Sequence, residues 1–393
     1  MIHIAERMSR LGTETAFEVL AKARALEAQG KNIIHLEIGE PDFDTPLNIR
    51  NAAKKALDES YTHYGPAAGL PQARAAIAKY TASTRGIEVS PDNVVITPGA
   101  KPIMFFLIIA CVDEGDEVIY PNPGFPIYES VIEFVGAKAV PLQLKEEKGF
   151  SFDIEDLKKL ITKKTRLLIL NSPQNPTGGV LSEKDLRQIA ELAIKHDIIV
   201  LSDEVYHRIV YDGYKHFSIA SLPGMQERTV ILDGFSKTFA MTGWRLGWGV
   251  MPEELAQKIT RLQTNATSCT ASFSQIAGIE ALTGPQNEVE RMVGEFKKRR
   301  DTIVAGLNAI PGITCHKPLG AFYVFPNVTG LGRLARELAD VMLYEAGVAC
   351  LAGTSFGKFG EGYLRFSYAN SIPNIQKALE RIEKVVKGQT VTA

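Results

Sequence analysis

The sequence predicts an α/β fold, a three-layer α/β/α arrangement around a mostly parallel sheet, with a second, smaller α+β domain. Short runs of β-branched and apolar residues alternate with helical segments through the first two thirds of the chain. Uninterrupted apolar strands separated by helices are typical of a parallel sheet covered on both faces. From the run "ASFSQIAGIEALTG" onward the pattern changes to long helices with few strands, which indicates a second region with a boundary near Pro285.

The elements follow in order along the chain. The segment "TETAFEVLAKARALEAQGK" has helical spacing, with Thr13 as a candidate N-cap and Gly30 as a stop. The predicted strands are "NVVITPG", "DEVIYPNP", "TRLLILNSP", "DIIVLSDEV" and "RTVILDGFSK", with "SEKDLRQIAELAIKHD" as a helix between them. In the second region "NEVERMVGEFKKRRDTIVAGLNAI" is helical, and "GAFYVFPN" and "YLRFSYAN" are strands.

Composition narrows the class of partner. The chain has 393 residues, 45% hydrophobic and 23% charged, with a net charge of -1. This balance gives no electrostatic footprint for nucleic acid or an anionic membrane, so we expect a small-molecule partner. The longest apolar run, "IMFFLIIACV", is about half a membrane span, and no signal-like segment opens the chain. We therefore expect a cytoplasmic protein.

The four cysteines support the same expectation. They are scattered, without the CxxC spacing of a zinc site, and Cys111 lies inside an apolar run. We interpret them as reduced thiols in preference to a disulfide or zinc framework, and we predict no metal site.

Polar side chains fall where the predicted strands end. In an open parallel sheet, ligands collect at the carboxyl ends of the strands. Each residue also has a plainer interpretation, because an Asn before Pro is often a turn residue, an Asp after a strand is often a helix cap, and lysines are often solvated. Together they predict a site at this edge, formed by Lys101, Asn171, Asn175, Asp203, Tyr206 and Lys237.

One chemistry needs this combination of groups. Amine transfer through pyridoxal phosphate requires a lysine to hold the cofactor as a Schiff base and to move a proton. It requires a carboxylate that keeps the pyridine nitrogen protonated, and donors to the phenolate oxygen. An arginine and the N–H groups of a helix N-terminus suit the phosphate. Lys237 and Arg245, eight residues apart in "SKTFAMTGWRLGW", fit the covalent and ionic anchors.

The segment "GFSKTFAMTGWRLG" resembles the lysine attachment signature of the class I and II aminotransferases of fold type I. Five further blocks resemble that family in family order, "GEPDFDTP", "YGPAAGLPQAR", "NSPQNPTG", "SDEVY" and "YLRFSYANS". The resemblance runs from about residue 7 to residue 385. It implies pyridoxal 5'-phosphate as cofactor, a large cofactor-binding domain over residues 46–285, and a small domain formed by residues 1–45 and 286–393.

The resemblance implies a role for each residue around the cofactor ring. Lys237 would be the Schiff-base lysine, and Asp203 would pair with the pyridine nitrogen. Asn175 and Tyr206 would donate to the phenolate oxygen. Phe125 would stack on the ring face.

It also implies how the phosphate and the second subunit are bound. Arg245 would hold the phosphate with backbone N–H groups of Gly99, Ala100 and Lys101. Tyr64 would reach the phosphate across the interface of a homodimer with shared active sites. Many family members have a serine three residues before the lysine, but this chain has Gly234, so Ser236 and backbone groups would compensate.

For the substrate, the resemblance implies an α-carboxylate clamp of Arg365, Asn175 and the backbone at Gly39. Some bacterial members that use aspartate bind its distal carboxylate with a lysine on the helix after the phosphate turn. The segment "PIMFFLIIACV" contains no basic residue, so we expect no strict dicarboxylate specificity. Glu14 would repel an acidic side chain or attract an amine, or would only occupy the first turn of a helix.

Three functions follow from these residues. The first is an aminotransferase that moves the α-amino group of an aspartate, alanine or aromatic-type donor to 2-oxoglutarate or pyruvate by a ping-pong mechanism. The second is a pyridoxal phosphate-dependent carbon-sulfur β-lyase, which would release ammonia and pyruvate from cystathionine. The third is a non-enzymatic aminotransferase-like sensor, for which the sequence leaves no room for a DNA-binding module.

Overall fold

The computed structural model describes residues 2–391 as a set of α-helices and β-strands joined by turns and short 3₁₀ segments. The strands are β1 (Ile34–His35), β2 (Val94–Thr97), β3 (Glu117–Asn122), β4 (Lys138–Gln143), β5 (Thr165–Asn171), β6 (Ile199–Asp203), β7 (Thr229–Gly234), β8 (Gly247–Val250), β9 (Tyr323–Val324), β10 (Val348–Ala349), β11 (Leu351–Ala352) and β12 (Leu364–Ser367). The helices are α1 (Thr15–Glu27), α2 (Leu47–Asp58), α3 (Pro71–Arg85), α4 (Lys101–Cys111), α5 (Ile127–Phe134), α6 (Ile154–Leu160), α7 (Glu183–Lys195), α8 (Phe235–Thr238), α9 (Glu253–Thr267), α10 (Ser272–Thr283), α11 (Asn287–Ala309), α12 (Ala335–Tyr344) and α13 (Ile372–Val386).

Seven strands form the main sheet, in the order β2-β8-β7-β6-β5-β3-β4. Every neighbouring pair is parallel except the two that involve β8, which runs antiparallel to β2 and β7. The prediction of a mostly parallel α/β sheet is confirmed. Because β2, β5, β6 and β7 point the same way, their carboxyl ends lie along one edge.

The sequence pattern missed two strands of this sheet. Strand β4 lies at the edge and is exposed at both ends, so it lacks the continuous apolar run of a central strand. Strand β8 has the sequence GWGV, and because glycines are uncommon inside strands, the sequence pattern did not predict a strand there. A Cβ on Gly247 would lie 2.3 Å from the backbone nitrogen of Ala100, so a side chain there would prevent the close approach of the two segments.

The C-terminal part of the chain forms a second packed region. Strands β11, β12 and β9 make a small antiparallel sheet, and β10 pairs in parallel with β1 near the N-terminus. A buried cluster joins α11, α12 and α13 to this sheet through residues such as Leu307, Phe322 and Phe366. The loop between Thr283 and Asn287 contains the predicted boundary, and the division into two domains stays a prediction.

The structure corrects the predicted start of the first helix. Helix α1 begins at Thr15, with Glu14 and not Thr13 in the N-cap position. Glu14 has an extended backbone, and its side chain makes no capping hydrogen bond. The helix ends at Glu27, and Gly30 follows in a turn with a φ of 86°. The expected stop at Gly30 is therefore a turn residue just beyond the helix.

The longest apolar run of the chain is a core helix. It lies in α4, where Ile103, Leu107 and Ile108 have no exposed surface. Within residues 2–391, no helix combines the length and apolar character needed to span a bilayer. All four cysteines are free thiols, and burial raises the pKa of Cys111 to about 11.

Candidate active site

A cleft of about 530 Å³ opens at the carboxyl edge of the main sheet. Two of the predicted residues do not line it. Gly99 lies directly behind Arg245, and Tyr64 is 92% exposed on the surface. The predicted residues that do line the cleft are Gly39, Ala100, Lys101, Phe125, Asn171, Asn175, Asp203, Tyr206, Ser236, Lys237, Arg245 and Arg365.

Lys237 lies at the floor of the cleft, because the short helix α8 follows directly on strand β7. Its Nζ donates a 2.6 Å hydrogen bond to the carbonyl of Gly39. Burial lowers the pKa of Lys237 to about 8, although the carboxylate of Glu40 opposes the shift. A lysine with this pKa carries a substantial fraction of neutral amine near pH 8, and the neutral amine is the nucleophile.

Asp203 is the last residue of β6 and points into the same cleft. Burial raises the pKa of this carboxyl to about 6, while a 2.5 Å hydrogen bond donated by the Tyr128 hydroxyl opposes the shift. The sequence analysis did not single out Tyr128. It follows Phe125 by three residues at the start of α5, so the run "GFPIY" carried the signal that both rings face the cleft.

Two asparagines connect the end of β5 to Arg365. The Asn171 side chain accepts a 2.9 Å hydrogen bond from the backbone N–H of Asn175. The amide oxygen of Asn175 in turn accepts a 3.3 Å hydrogen bond from Nη1 of Arg365. Asn171 therefore supports Asn175, which is the role of a turn residue placed at the end of β5.

Two tyrosines meet deep in the cleft. The hydroxyls of Tyr206 and Tyr323 lie 2.8 Å apart, and burial keeps the pKa of Tyr206 well above its usual value. Tyr206 therefore stays a neutral phenol at neutral pH and can donate a hydrogen bond. Tyr323, in β9, was missed by sequence reasoning. A Cβ on Gly39 would lie 2.0 Å from the Tyr323 hydroxyl, so this glycine is required for the close approach.

Arg365 is a buried cation on strand β12. Its guanidinium lies 4.7 Å from the ring centre of Tyr323 and 5.0 Å from that of Phe356, and Nη2 donates to the carbonyl of Glu37. The buried Nε has no hydrogen-bond partner anywhere in residues 2–391. A buried N–H without a partner is costly, so this group is well suited to an incoming carboxylate.

The other end of the cleft collects hydrogen-bond donors. Arg245 has a left-handed backbone with a φ of 47°, and its Nη1 donates to the carbonyl of Thr242 at 2.8 Å. A Cβ on Gly99 would lie 2.4 Å from Nη2 of Arg245, so any side chain at 99 would collide with the guanidinium. Helix α4 begins here, with Ala100 as N-cap, and Ser236 lines the opposite wall.

The entrance of the cleft corrects two expectations. Helix α4 begins at Lys101, so the helix after the phosphate turn does carry a basic residue, and that residue lines the cleft. The sequence analysis placed the start of this helix one residue too late. Glu14 does not lie inside the first turn of α1, because it is the N-cap residue and its carboxylate contacts Nζ of Lys101.

A buried polar network lies on the opposite face of the same strand ends. Arg85, at the end of α3, donates to Glu204 at 2.9 Å and to Asp233 at 2.6 Å. His207 Nδ1 lies 3.2 Å from Asp233, and the Tyr80 hydroxyl lies 2.8 Å from His207 Nε2. Three members of the network, Glu204, His207 and Asp233, are sequence neighbours of residues that line the cleft, so the network holds the strand ends that carry it.

Comparisons with known proteins agree with this geometry. A family model described as "Aminotransferase class I and II" matches residues 31–382. The chain is 44% identical to an aspartate aminotransferase of Pyrococcus abyssi, over 92% of this chain and 94% of the relative. It is 43% identical to aromatic-amino-acid aminotransferase 2 of Thermococcus litoralis, over 92% and 93% of the two chains.

A solved structure of an alanine aminotransferase from Pyrococcus furiosus is similar with a TM-score of 0.93 and 34% identity, and the match covers 98% of this chain and 100% of that one. The names of these three relatives differ in the amino acid and agree in the reaction. The chain is a member of the aminotransferase class I and II family, and it is an aminotransferase.

Proposed function

We propose that the cleft binds pyridoxal 5'-phosphate and transfers the α-amino group of an amino acid to a 2-oxo acid. The set of donors supports this cofactor. A lysine amine, a buried carboxylate and two donors, Asn175 and Tyr206, lie in one cleft whose far end carries Arg245 and the start of α4. Because residue 99 is glycine, the Arg245 guanidinium can lie directly against the turn before α4, and a guanidinium beside a helix N-terminus suits a phosphate.

When bound, the cofactor supplies an electron sink for the charge left on the substrate Cα when its proton is removed. Lys237 would bind the cofactor covalently and then carry the proton between Cα and the cofactor carbon. The lowered pKa of its amine, about 8, suits a group that gains and loses a proton near neutral pH.

Asp203 would hold a proton at the pyridine nitrogen. Its buried position strengthens an ion pair with that nitrogen, because the local dielectric constant is low. Tyr206 and Asn175 would donate to the phenolate oxygen, and Phe125 would cover one face of the ring. The raised pKa of Tyr206 supports its role as a donor.

The observation that carries the proposal is the unpartnered Nε of Arg365. It lies on the same guanidinium whose Nη1 reaches Asn175, within the cleft that contains Lys237. We propose that this guanidinium and Asn175 bind the substrate α-carboxylate. The Gly39 carbonyl already accepts from Lys237, so the main chain at Gly39 would position the lysine as well as the substrate.

For the substrates, we propose aspartate, alanine or aromatic-type donors with 2-oxoglutarate or pyruvate as acceptor, in a ping-pong mechanism. The names of the relatives support this set. Lys101 at the cleft entrance supports dicarboxylic substrates, because its ammonium group could pair with a distal carboxylate. The earlier expectation against them rested on the absence of such a lysine.

We further propose a two-fold homodimer with shared sites. Tyr64 is 92% exposed on this subunit and lies outside its own cleft, which is consistent with a tyrosine that reaches the partner's phosphate. The division into a large domain over residues 46–285 and a small domain of residues 1–45 and 286–393 is part of the same proposal. A cytoplasmic location remains a prediction from composition, which cell fractionation would test.

The experiment is an absorption spectrum of the purified protein from about 300 to 500 nm, before and after addition of single amino acids. A visible band that moves to the near ultraviolet with aspartate, alanine or phenylalanine supports cofactor and donor together. Release of ammonia and pyruvate from cystathionine without a 2-oxo acid would instead support the β-lyase. A protein that stays colourless after addition of pyridoxal phosphate would contradict the proposal.

A further inference from the structure

The carboxylate of Glu14 pairs with a distant residue and does not cap the helix at whose start it lies. At an N-cap, the short side chains of Asp, Asn, Ser and Thr commonly accept hydrogen bonds from the backbone N–H groups of the first turn. Glu14 is the N-cap residue of α1 and makes no such bond. Its Oε1 contacts the ammonium group of Lys101, 87 residues away in sequence, across the entrance of the cleft.

The ion pair is placed where a substrate side chain would lie. Glu14 and Lys101 line the same cleft as Arg365, the residue proposed to bind the α-carboxylate. Nζ of Lys101 lies 5.3 Å from the ring centre of Phe125, and Phe17 lines the same cleft. The cleft that contains the pair therefore also has aromatic surface that could contact an uncharged side chain.

The pair is also weak enough to be exchanged. The side chain of Lys101 is 46% exposed and that of Glu14 is 19% exposed. Ion pairs with this degree of exposure contribute about 0–1 kcal/mol, because water solvates the separated charges nearly as well. A second carboxylate offered to Lys101 from inside the cleft would replace Glu14 at little net cost.

We propose that Glu14 is an exchangeable counter-ion of Lys101, which pairs with the lysine when the bound substrate has an uncharged side chain and gives way to the side-chain carboxylate of a dicarboxylic substrate. The inference rests on the proposed function, since it takes Arg365 as the site of the α-carboxylate. It assigns to one cleft two classes of amino acid, dicarboxylic and apolar.

The exchange answers a physical problem of such a cleft. A lysine left without a partner beside a bound phenyl or methyl group would lose water without compensation, which is unfavourable. With Glu14 in place the entrance carries no net charge, and an apolar side chain meets a neutral pair. With a dicarboxylic substrate, Glu14 returns to solvent, and Lys101 and Arg365 face one carboxylate each.

The test compares Glu14→Gln, Lys101→Met and the double variant, with Glu18→Gln as the matched control. Glu18 lies one turn further along α1 and is exposed, so its substitution makes the same change in charge outside the cleft. The readouts are kcat/KM for aspartate and for phenylalanine, and the dissociation constants of succinate and of 3-phenylpropanoate measured by calorimetry.

We expect Glu14→Gln to lower the dissociation constant of succinate and to raise kcat/KM for aspartate, each by about three- to tenfold. The same substitution should lower kcat/KM for phenylalanine. In the Lys101→Met background the same substitution should leave the aspartate-to-phenylalanine ratio within about twofold, because there is no longer a cation to release. Glu18→Gln should leave the aspartate-to-phenylalanine ratio of kcat/KM at the wild-type value.

Two results would overturn the inference. If Glu14→Gln raises the aspartate-to-phenylalanine ratio of kcat/KM equally with and without Lys101, Glu14 acts by repulsion alone. An unchanged ratio in Glu14→Gln would mean that the ion pair does not contact the substrate. Failure of the proposed function is a separate result, because then no amino acid would change the visible band of the wild-type protein.

Discussion

Buried carboxylates on the two faces of the strand ends have different hydrogen-bond partners. In the run "SDEVYH", Asp203 and Tyr206 face the cleft, whereas Glu204 and His207 face the network around Arg85. Glu204 accepts from Arg85 at 2.9 Å, from Ser202 at 2.9 Å and from Ser218 at 2.6 Å. Asp203 accepts from the Tyr128 hydroxyl and, at 3.4 Å, from the backbone N–H of Val205.

The pKa values of the two neighbours shift in opposite directions. Burial raises the pKa of Asp203 to about 6. Burial also acts on Glu204, but the neighbouring His216 and Arg85 outweigh it and hold the pKa of Glu204 well below its usual value. On the network face, Glu204 thus has its counter-charges within the chain, whereas burial outweighs Arg85 at Asp233 and raises the pKa of that carboxyl to about 7. On the cleft face, the raised pKa of Asp203 is typical of a functional site.

This difference predicts that substitutions on the cleft face remove activity and leave the fold intact. The largest effect is expected for Lys237→Ala, because Lys237 would be both the covalent anchor and the proton carrier. The loss in kcat should be roughly 10⁴-fold or more. Thermal unfolding of the cofactor-free variant should stay close to wild type, and normal turnover would contradict the assignment.

Asp203→Asn should reduce kcat by roughly 10³-fold, because an amide cannot hold a proton at the pyridine nitrogen. Single-turnover kinetics with aspartate measure this directly. Tyr128→Phe is the matched control, since it removes the 2.5 Å hydrogen bond and keeps the carboxylate. Near-full activity of Asp203→Asn would show that the aspartate does not serve the ring nitrogen.

Much of this arrangement could be predicted from the sequence, and the rest depended on contacts between distant segments. The residues of the cleft face could be predicted from the positions of the strand ends, because ligands collect where parallel strands end. Tyr323 and Arg85 could not be placed, since their partners are more than 100 residues away. Lys101 was assigned to the phosphate turn because the helix boundary is not visible in "PGAKPIM".

On the network face the pattern of effects should be reversed. Arg85→Met leaves two buried carboxylates without their cation, and we expect the free energy of unfolding to fall by about 3–5 kcal/mol. The folded fraction should keep kcat within about tenfold of wild type, since no atom of Arg85 lines the cleft. Urea unfolding and kcat per folded molecule provide the two values.

If Arg85→Met does not fold, Tyr80→Phe tests the same face with a smaller perturbation. It removes the 2.8 Å contact with His207 and should lower the free energy of unfolding by about 1 kcal/mol. A large loss of kcat with unchanged stability in either variant would mean that the network takes part in catalysis.

A smaller effect is expected in the pH dependence of cofactor capture. Because the pKa of Lys237 is lowered from 10.5 to about 8, half of the amine is neutral near pH 8, and the neutral form predominates by pH 9. The rate of covalent capture of pyridoxal phosphate by the cofactor-free protein should rise over that range and then level off. Glu40→Gln should move the midpoint lower, since the Glu40 carboxylate raises this pKa. A rate that still rises above pH 10 would contradict a lowered pKa.

The most direct test of the difference between the two faces is the unfolding free energy of cofactor-free Asp203→Asn and Glu204→Gln, measured side by side at pH 7 and pH 4. A folded-state pKa raised from 3.8 to about 6 makes ionised Asp203 destabilising above pH 6, by roughly 3 kcal/mol. That penalty falls to about 0.5 kcal/mol at pH 4 and disappears below about pH 3, where the carboxyl is protonated in both states.

We therefore predict that Asp203→Asn is more stable than wild type at pH 7 and within about 0.5 kcal/mol of it at pH 4. Glu204→Gln should be less stable at pH 7 by about 3 kcal/mol, because it weakens the pairing of a buried cation. The opposite order at pH 7, with Asp203→Asn destabilised and Glu204→Gln unaffected, would contradict the account.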